Sequence, residues 1–159
     1  TGGSGLGLPR EQDMAVTTGR PRPIARQYGE DWLGDIQTVS ISIEDLGAGS
    51  DIADRGVFAA PYPLQVLEAK IVPWAASAGV DGSNTLVVDL KNLTATETIG
   101  TVTSTTNLAA ATPVDLTLTS AHTDVAANAV LGVSVTQGAT ANTAGLFVQF
   151  SYRVRPVNT

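Results

Sequence analysis

The single histidine is the first place to look for chemistry. His122 has Ser120 two residues before it and Asp124 two residues after it, and the chain has no Cys. A Ser–His–Asp triad requires these three groups to be close in space, whatever their order along the chain. No G-x-S-x-G nucleophile turn is present, and nothing else nominates a nucleophile, a base or a cofactor motif. We therefore predict a surface loop histidine and a protein that is neither an enzyme nor a cofactor binder.

A second candidate is the acidic, Gly-rich stretch 47–56. Asp51 and Asp54, at a spacing of three, could share a Ca²⁺ ion with loop carbonyls. The stretch lacks the alternating acid ladder and the bidentate Glu of known calcium loops. The alternative is a turn with an Asx cap, in which Asp51 or Asp54 pairs with Arg55 or with an arginine nearer the N-terminus. We predict no metal site.

Two short motifs have weak support from their context. The stretch GGSGLG at 2–7 follows no predicted strand and precedes no Lys, so neither phosphate-binding context applies. The stretch NLT at 92–94 fits the glycosylation sequon, a pattern short enough to arise by chance.

Composition limits the classes of partner. Charged residues are 15% of the chain, against roughly 25% in typical soluble domains. The net charge of −6 provides no basic field for phosphates, so we predict no nucleic-acid binding. No run of 18 apolar residues occurs, and we predict no membrane span. Few charges suit a surface that meets other protein, although small-residue β proteins also show this composition.

Residues 1–35 have the composition of an extended arm. The segment begins Gly-rich, and Pro21 and Pro23 enforce extended backbone. We expect such a segment to become ordered on a partner, because it buries little apolar surface of its own. Arginine and aromatic side chains are typical interface anchors. The predicted partner-binding residues are Arg20, Arg22, Arg26, Tyr28, Trp32 and Leu33.

From residue 36 the pattern indicates β-strands. Apolar and polar residues alternate with period two, and Gly-, Asn- and Thr-rich turns separate the alternating runs. Residues 44–56 read as a loop, 58–65 as an extended connection, and 122–129 as one helical turn. We predict an all-β antiparallel β-sandwich or jelly-roll-like domain over 36–159. Its strands are expected at 36–43, 65–72, 85–91, 99–105, 114–120, 130–137 and 146–154.

The last two predicted strands read as a long hairpin. We expect two apolar faces to close the core. The loop of small residues at 137–144 is predicted to be either exposed or a contact between copies. The core-facing residues are Leu131, Val133 and Val135 in the first strand and Leu146, Val148 and Phe150 in the second.

Residues 66–154 resemble small β-sandwich proteins of tailed-phage particles, namely capsid decoration (cement, head-auxiliary) proteins and head-fibre bases. The family pattern V-A-A-G-D-x-L corresponds to VAANAVL at 125–131, and the ending G-G-L-V-x-V-x-F corresponds to AGLFVQF at 144–150, which is one residue shorter. Asn128 and Ala129 replace Gly-Asp, and Ala144 replaces one of the paired glycines.

The resemblance implies a virion protein on the outer capsid surface. Its partner would be the major capsid protein, whose subunit contacts it would stabilise, and it would assemble as a homo-oligomer, commonly a trimer. Two alternatives share the fold class. One is a carbohydrate-binding or head-fibre/receptor-type module, and the other is a small jelly-roll coat protein with its arm on the genome.

Overall fold

The structure is a computed structural model that describes residues 35–156. All six predicted partner-binding residues of the arm lie outside this range. Within it the chain forms ten strands and one short 3₁₀ turn, Ser120–His122. The strands are β1 Ile36–Ile43, β2 Ile52–Ala59, β3 Leu64–Pro73, β4 Leu86–Asn92, β5 Glu97–Ser104, β6 Val114–Asp115, β7 Thr117–Leu118, β8 Asp124–Val125, β9 Val130–Gln137 and β10 Leu146–Val154.

The strands form two antiparallel sheets. Sheet I has the order β2-β9-β4-β5-β7, and sheet II has the order β1-β10-β3-β6, with β8 also paired to β3. The predicted all-β sandwich is therefore confirmed for the described residues. Phe58 of sheet I meets Phe150 of sheet II edge to face, with ring centroids 5.6 Å apart, so the two sheets pack against each other.

The core follows the predicted alternation. In the long strands β3, β4, β9 and β10, apolar side chains at alternating positions are almost fully buried. All six residues expected to close the core from the last two long strands are buried. These are Leu131, Val133, Val135, Leu146, Val148 and Phe150.

The predicted hairpin is wrong. β9 and β10 are consecutive, yet β9 pairs with β2 and β4 in sheet I, and β10 pairs with β1 and β3 in sheet II. The loop 138–145 therefore crosses from one sheet to the other over an end of the sandwich. Ala139 and Thr140 are exposed at its tip, whereas Ala141 and Thr143 are buried, so the loop is part of the packed domain.

Two further elements differ from the prediction. Residues 52–59 were expected in a loop and an extended connection, but they form β2, whose ladder with β9 contains two register shifts. The predicted strand 114–120 is broken, because β6 pairs with β3 and β7 pairs with β5. Leu116 is buried between the two pieces, where the chain passes from sheet II to sheet I. The helical turn comes earlier than predicted, at Ser120–His122, and Asp124 starts β8.

Candidate functional surface

The side chain of His122 makes structural contacts. His122 Nδ1 lies 2.9 Å from the carbonyl oxygen of Thr98, and Nε2 lies 3.7 Å from Glu97 Oε1. Asp124 forms an ion pair with Arg155. The side-chain contacts of His122 thus join it to β5, and they do not join it to Ser120 or Asp124. His122 fastens the 3₁₀ turn to the sheet.

Asp51 and Asp54 bind different neighbours. Asp51 Oδ1 accepts the N–H of Gln137 at 2.7 Å, and Asp54 Oδ1 lies 2.7 Å from Lys91 Nζ. The alternative that pairs Asp51 or Asp54 with Arg55 is wrong, because Arg55 binds Glu44 at 3.0 Å. The other alternative, an arginine nearer the N-terminus, lies outside the described residues. That contact holds the pKa of the Glu44 carboxyl below its usual range, chiefly through the hydrogen bond from Arg55. Among residues 35–156, no three His, Asp or Glu side chains are grouped as metal ligands.

The sequon asparagine is inside the fold. Asn92 is buried at the end of β4, and its Oδ1 accepts the N–H of Ala95 at 3.1 Å. The side chain therefore shapes the β4–β5 turn and is not presented to solvent.

An open hollow of about 320 Å³ lies beside this turn. It is lined by the Asp54–Lys91 pair, Asn92, Leu93, Thr96, Glu97 and Thr98. Asp54 and Lys91 neutralise each other, and Glu97 faces His122, so its charged groups already have partners within the protein. The hollow carries no set of groups that selects a ligand.

The most distinctive surface feature is a pair of exposed aromatic rings. Trp74 is 46% exposed and Phe147 is 40% exposed, and their ring centroids are 5.6 Å apart with a tilt of 54°. The pair arises from neighbouring strands of sheet II. Phe147 lies opposite Val72 in the ladder of β10 with β3, and Trp74 follows the last residue of β3. We call Val72, Trp74 and Phe147 the aromatic patch.

A series of hydrogen bonds supports the backbone of the aromatic patch. The backbone N–H of Trp74 donates to the carbonyl oxygen of Gly145 at 3.0 Å. Gly145 N–H in turn donates to Oγ1 of the buried Thr143 at 3.1 Å. Thr143 N–H donates to Gln137 Oε1 at 2.7 Å. These bonds connect the backbone of Trp74, which carries the exposed indole, to buried Thr143 and Gln137 in the interior of the sandwich. The rings are thus held on a preorganised support.

Gln137 is the centre of this support. The residue is 6% exposed, and its Nε2 donates to the carbonyl oxygens of Gly47 at 2.9 Å and Ser50 at 2.6 Å. One buried amide therefore joins the loop 44–51 to the crossing loop 138–145. Such fully satisfied polar groups stabilise one loop arrangement, because each unpaired partner would be costly.

The surface beside the aromatic patch is mostly uncharged. On the outer face of sheet II, Phe147 is followed by Gln149, and the neighbouring strand β1 presents Ser40 and Ser42. Lys70 lies two residues from Val72 on β3, and its Nζ is 3.0 Å from Glu68. This contact raises the pKa of Lys70, with a smaller contribution from Asp115 on the neighbouring strand, so the cation beside the patch already has acidic partners.

Part of this surface could be found from sequence. Successive side chains of a strand point to opposite faces of the sheet. In LFVQF, at 146–150, Leu146 and Val148 are expected to face the core, so Phe147 is expected to face outward. Trp74 follows Pro73 at a strand end, a position where the sequence alone does not distinguish the core from the rim, and the structure places it at the surface. The role of Gln137 carried no signal, because the carbonyl oxygens that its Nε2 binds belong to Gly47 and Ser50, which lie 90 and 87 residues away in the sequence.

Comparison of the chain with known protein families and with curated proteins finds no match. No helix in the described part of the chain is long and apolar enough to cross a membrane.

Proposed function

We propose that the protein is a structural component of a phage virion, which binds the outer capsid surface and stabilises contacts between major capsid protein subunits. The observation that supports this proposal most directly is the backbone conformation at two positions. Asn128 has φ 67° and Ala144 has φ 52°. These are the two positions at which the family pattern has glycine and this sequence does not.

A left-handed residue is costly for most side chains and is the usual reason for glycine in a turn. Asn tolerates this conformation better than most residues, and Ala does not. The chain thus keeps, at both positions, the turn geometry that glycine would supply. The departures from the pattern at Asn128 and Ala144 then concern the side chain, while the turn before β9 and the turn before β10 retain the shape that glycine favours.

The aromatic patch supports a role in protein binding. Aromatic residues on a rigid, uncharged surface are the typical centre of a protein–protein contact, where they contribute a large share of the binding free energy. We propose that the aromatic patch and the arm residues Arg20, Arg22, Arg26, Tyr28, Trp32 and Leu33 contact the capsid together. Two attachments on one chain give a higher avidity than either alone.

A carbohydrate-binding module is the second candidate, and the exposed ring pair is the observation that favours it. Trp and Phe faces can stack on the apolar face of a sugar ring. The 54° tilt between the rings disfavours a continuous flat platform, because only one ring at a time can lie parallel to one sugar. This geometry makes the protein contact our first proposal.

Co-sedimentation with phage heads tests the proposal. Heads assembled from the major capsid protein of the genome that encodes this chain are mixed with the purified protein. We expect saturable binding at a fixed ratio to capsid subunits and a higher temperature of capsid disruption. Trp74→Ala combined with Phe147→Thr, and separately Tyr28→Ala combined with Trp32→Ala, are expected to weaken binding at least about tenfold.

Val130→Thr is the matched control, because Val130 is also exposed and apolar but belongs to sheet I. It should bind as the unmodified protein does. Absence of binding to the heads would contradict the proposal. If a glycan array instead showed sugar binding that Trp74→Ala abolished, the second candidate would replace the first.

A further inference from the structure

The two sheets have four edges among the described strands, and three of them are poor templates for another strand. β6 and β7 are two residues long each. β2 carries Asp54 and Arg55, and its ladder contains two register shifts. Short length, charge and bulges are the devices by which proteins keep sheet edges from pairing with other chains.

The fourth edge, β1, has none of these devices. Its sequence IQTVSISI contains no charged residue and no proline. Its eight-residue ladder with β10 runs from Ile36 to Ile43 without a register shift. A long, regular and uncharged edge is a template for another strand.

The side chains of β1 also leave apolar surface at this edge. Val39 and Ile41 lie on the face that packs against the core, next to the buried Ile43, yet both are only half-buried. A core-facing residue on an edge strand lacks a neighbour on one side. A strand added at this edge would cover that side and remove the apolar area from water.

From these features we infer that β1 pairs antiparallel with β1 of a second copy of this chain, across a two-fold axis at Ser40. When two copies of one strand pair antiparallel about a two-fold axis, even-numbered residues lie opposite even-numbered ones and odd-numbered opposite odd-numbered ones. The axis therefore passes between the two copies of a single residue. With Ser40 on the axis, Thr38 faces Ser42 of the second copy, and Val39 faces Ile41. Polar pairs then lie on the outer face and β-branched pairs on the core face, both of which stabilise a sheet.

Centring the pair on Val39 matches the chain less well. Gln37 would then face Ile41, and Ile36 would face Ser42, so two apolar side chains would be set against polar ones. In the Ser40 register only one is, because Gln37 faces Ile43. Of the two registers that pair seven residues of β1, the one about Ser40 is therefore the more self-complementary. Sheet II would continue across the axis as one sheet of two copies. This inference depends on the edge and does not rest on the proposed capsid role.

The test is a charge exchange at Ser40, whose exposed side chain lies on the outer face. In the inferred pair the two copies of residue 40 are direct neighbours, so like charges there repel. The unmodified protein is expected to have the mass of two copies in sedimentation and light scattering. Ser40→Lys and Ser40→Glu, each alone, are expected to raise the dissociation constant at least about tenfold. An equal mixture of the two variants is expected to restore the pair.

Thr103→Lys is the control, because Thr103 is exposed on β5 of sheet I and should leave the mass at two copies. A pair that persists in Ser40→Lys would overturn the inference, as would a three-copy mass, which the phage-protein resemblance implies. A monomer whose β1 amides are protected from hydrogen exchange would show that the same chain covers the edge, which also overturns it. Binding to phage heads is measured separately, so failure of this inference and failure of the capsid proposal are distinguishable.

Discussion

The indole ring of Trp74 lies against Gly145 so closely that no other residue fits there without movement. A Cβ at Gly145 would be 2.6 Å from Cε3 of Trp74, well inside van der Waals contact. Gly145 also has φ +87°, in the left-handed region. Two separate causes, backbone conformation and close approach of a ring, therefore require glycine at this position.

Replacement of Gly145 by Ala should be more costly than the same change at Gly47. Gly47 has φ +79° and nothing within 4 Å of its Cβ position, so Gly47→Ala measures the backbone strain alone. We expect Gly47→Ala to lower the free energy of unfolding by about 1–2 kcal/mol. Gly145→Ala should cost roughly 1 kcal/mol more, because the indole must move as well. Urea unfolding of both variants measures the difference.

The movement of the indole gives a second readout. In a Trp32→Phe background, Trp74 is the remaining tryptophan, and its emission should shift in Gly145→Ala but not in Gly47→Ala. Equal losses of stability with unchanged emission would mean that the ring does not rest on Gly145 in solution.

Local alternation accounts for what the sequence predicted well. β9 and β10 were predicted with the bounds that the structure shows, because period-two runs such as Leu131, Val133 and Val135 are uninterrupted there. Phe147 follows the same rule on the outer face. Alternation determines which face a side chain takes within a strand, so core and surface residues of regular strands can be read from sequence.

Alternation does not determine which strands pair. β9 and β10 were predicted to be a hairpin, since sequential strands commonly pair, but a loop of eight residues can equally cross between sheets. β2 was missed because IADRG, at 52–56, combines low β-propensity with a left-handed Asp54. Its pairing with β9 supplies the strand geometry, and that partner lies more than seventy residues away in the chain.

Gln137 should be one of the most sensitive polar residues of the domain. Gln137→Ala removes the donor to the carbonyl oxygens of Gly47 and Ser50 and the acceptor for the N–H of Thr143. The Gly47 oxygen then keeps the backbone N–H of Ser50, at 3.3 Å. We expect a loss of about 3 kcal/mol in the free energy of unfolding, measured by urea unfolding. Hydrogen exchange should also become faster in the loops 44–51 and 138–145.

Two further variants separate hydrogen bonding from volume. Gln137→Glu keeps the size of the side chain but replaces the donating amide with an oxygen that faces two carbonyl oxygens. It should therefore be at least as destabilising as Gln137→Ala at pH 7. Thr136→Ala changes the exposed neighbour and should cost little. A near-neutral Gln137→Glu would show that the amide donors do not hold the loops.

In contrast to the variants above, replacement of Thr96 by Gly should raise the free energy of unfolding. This β-branched residue has φ 61° in the β4–β5 turn, a conformation that few L-residues adopt. Thr96→Gly removes about 1–2 kcal/mol of backbone strain. Part of this gain is offset by the greater freedom of glycine in the unfolded chain. We expect a net stabilisation of about 0.5–1 kcal/mol in thermal and urea unfolding.

Ala95 is the matched control in the same turn. Its φ is negative, so Ala95→Gly relieves no strain and only adds freedom to the unfolded chain. It should lower the free energy of unfolding by about 0.5–1 kcal/mol. If both glycine variants changed stability in the same direction, the turn would not hold Thr96 in the left-handed region.

The Asp81 carboxylate should make the free energy of unfolding depend on pH in the acid range. Its Oδ1 accepts the N–H groups of Ser83 at 2.7 Å and Asn84 at 2.9 Å in the turn before β4. These bonds, with a further contribution from the Asn84 side chain, hold the pKa of Asp81 below its usual value. A carboxyl whose pKa is lower when folded stabilises the native state above its unfolded pKa, about 4 for aspartate. That stability is lost as the pH falls through the folded pKa.

The variant Asp81→Asn tests the direction of this dependence. An amide oxygen still accepts the two N–H groups, but it carries no charge and does not titrate in this range. We expect Asp81→Asn to unfold at lower urea concentration than the unmodified protein at pH 7 and pH 5. The two urea midpoints should approach each other as the pH falls below the unfolded pKa of aspartate, about 4, and through the lower folded pKa of Asp81. A midpoint difference that stayed constant from pH 7 to pH 2 would show that the charge of Asp81 does not stabilise this turn.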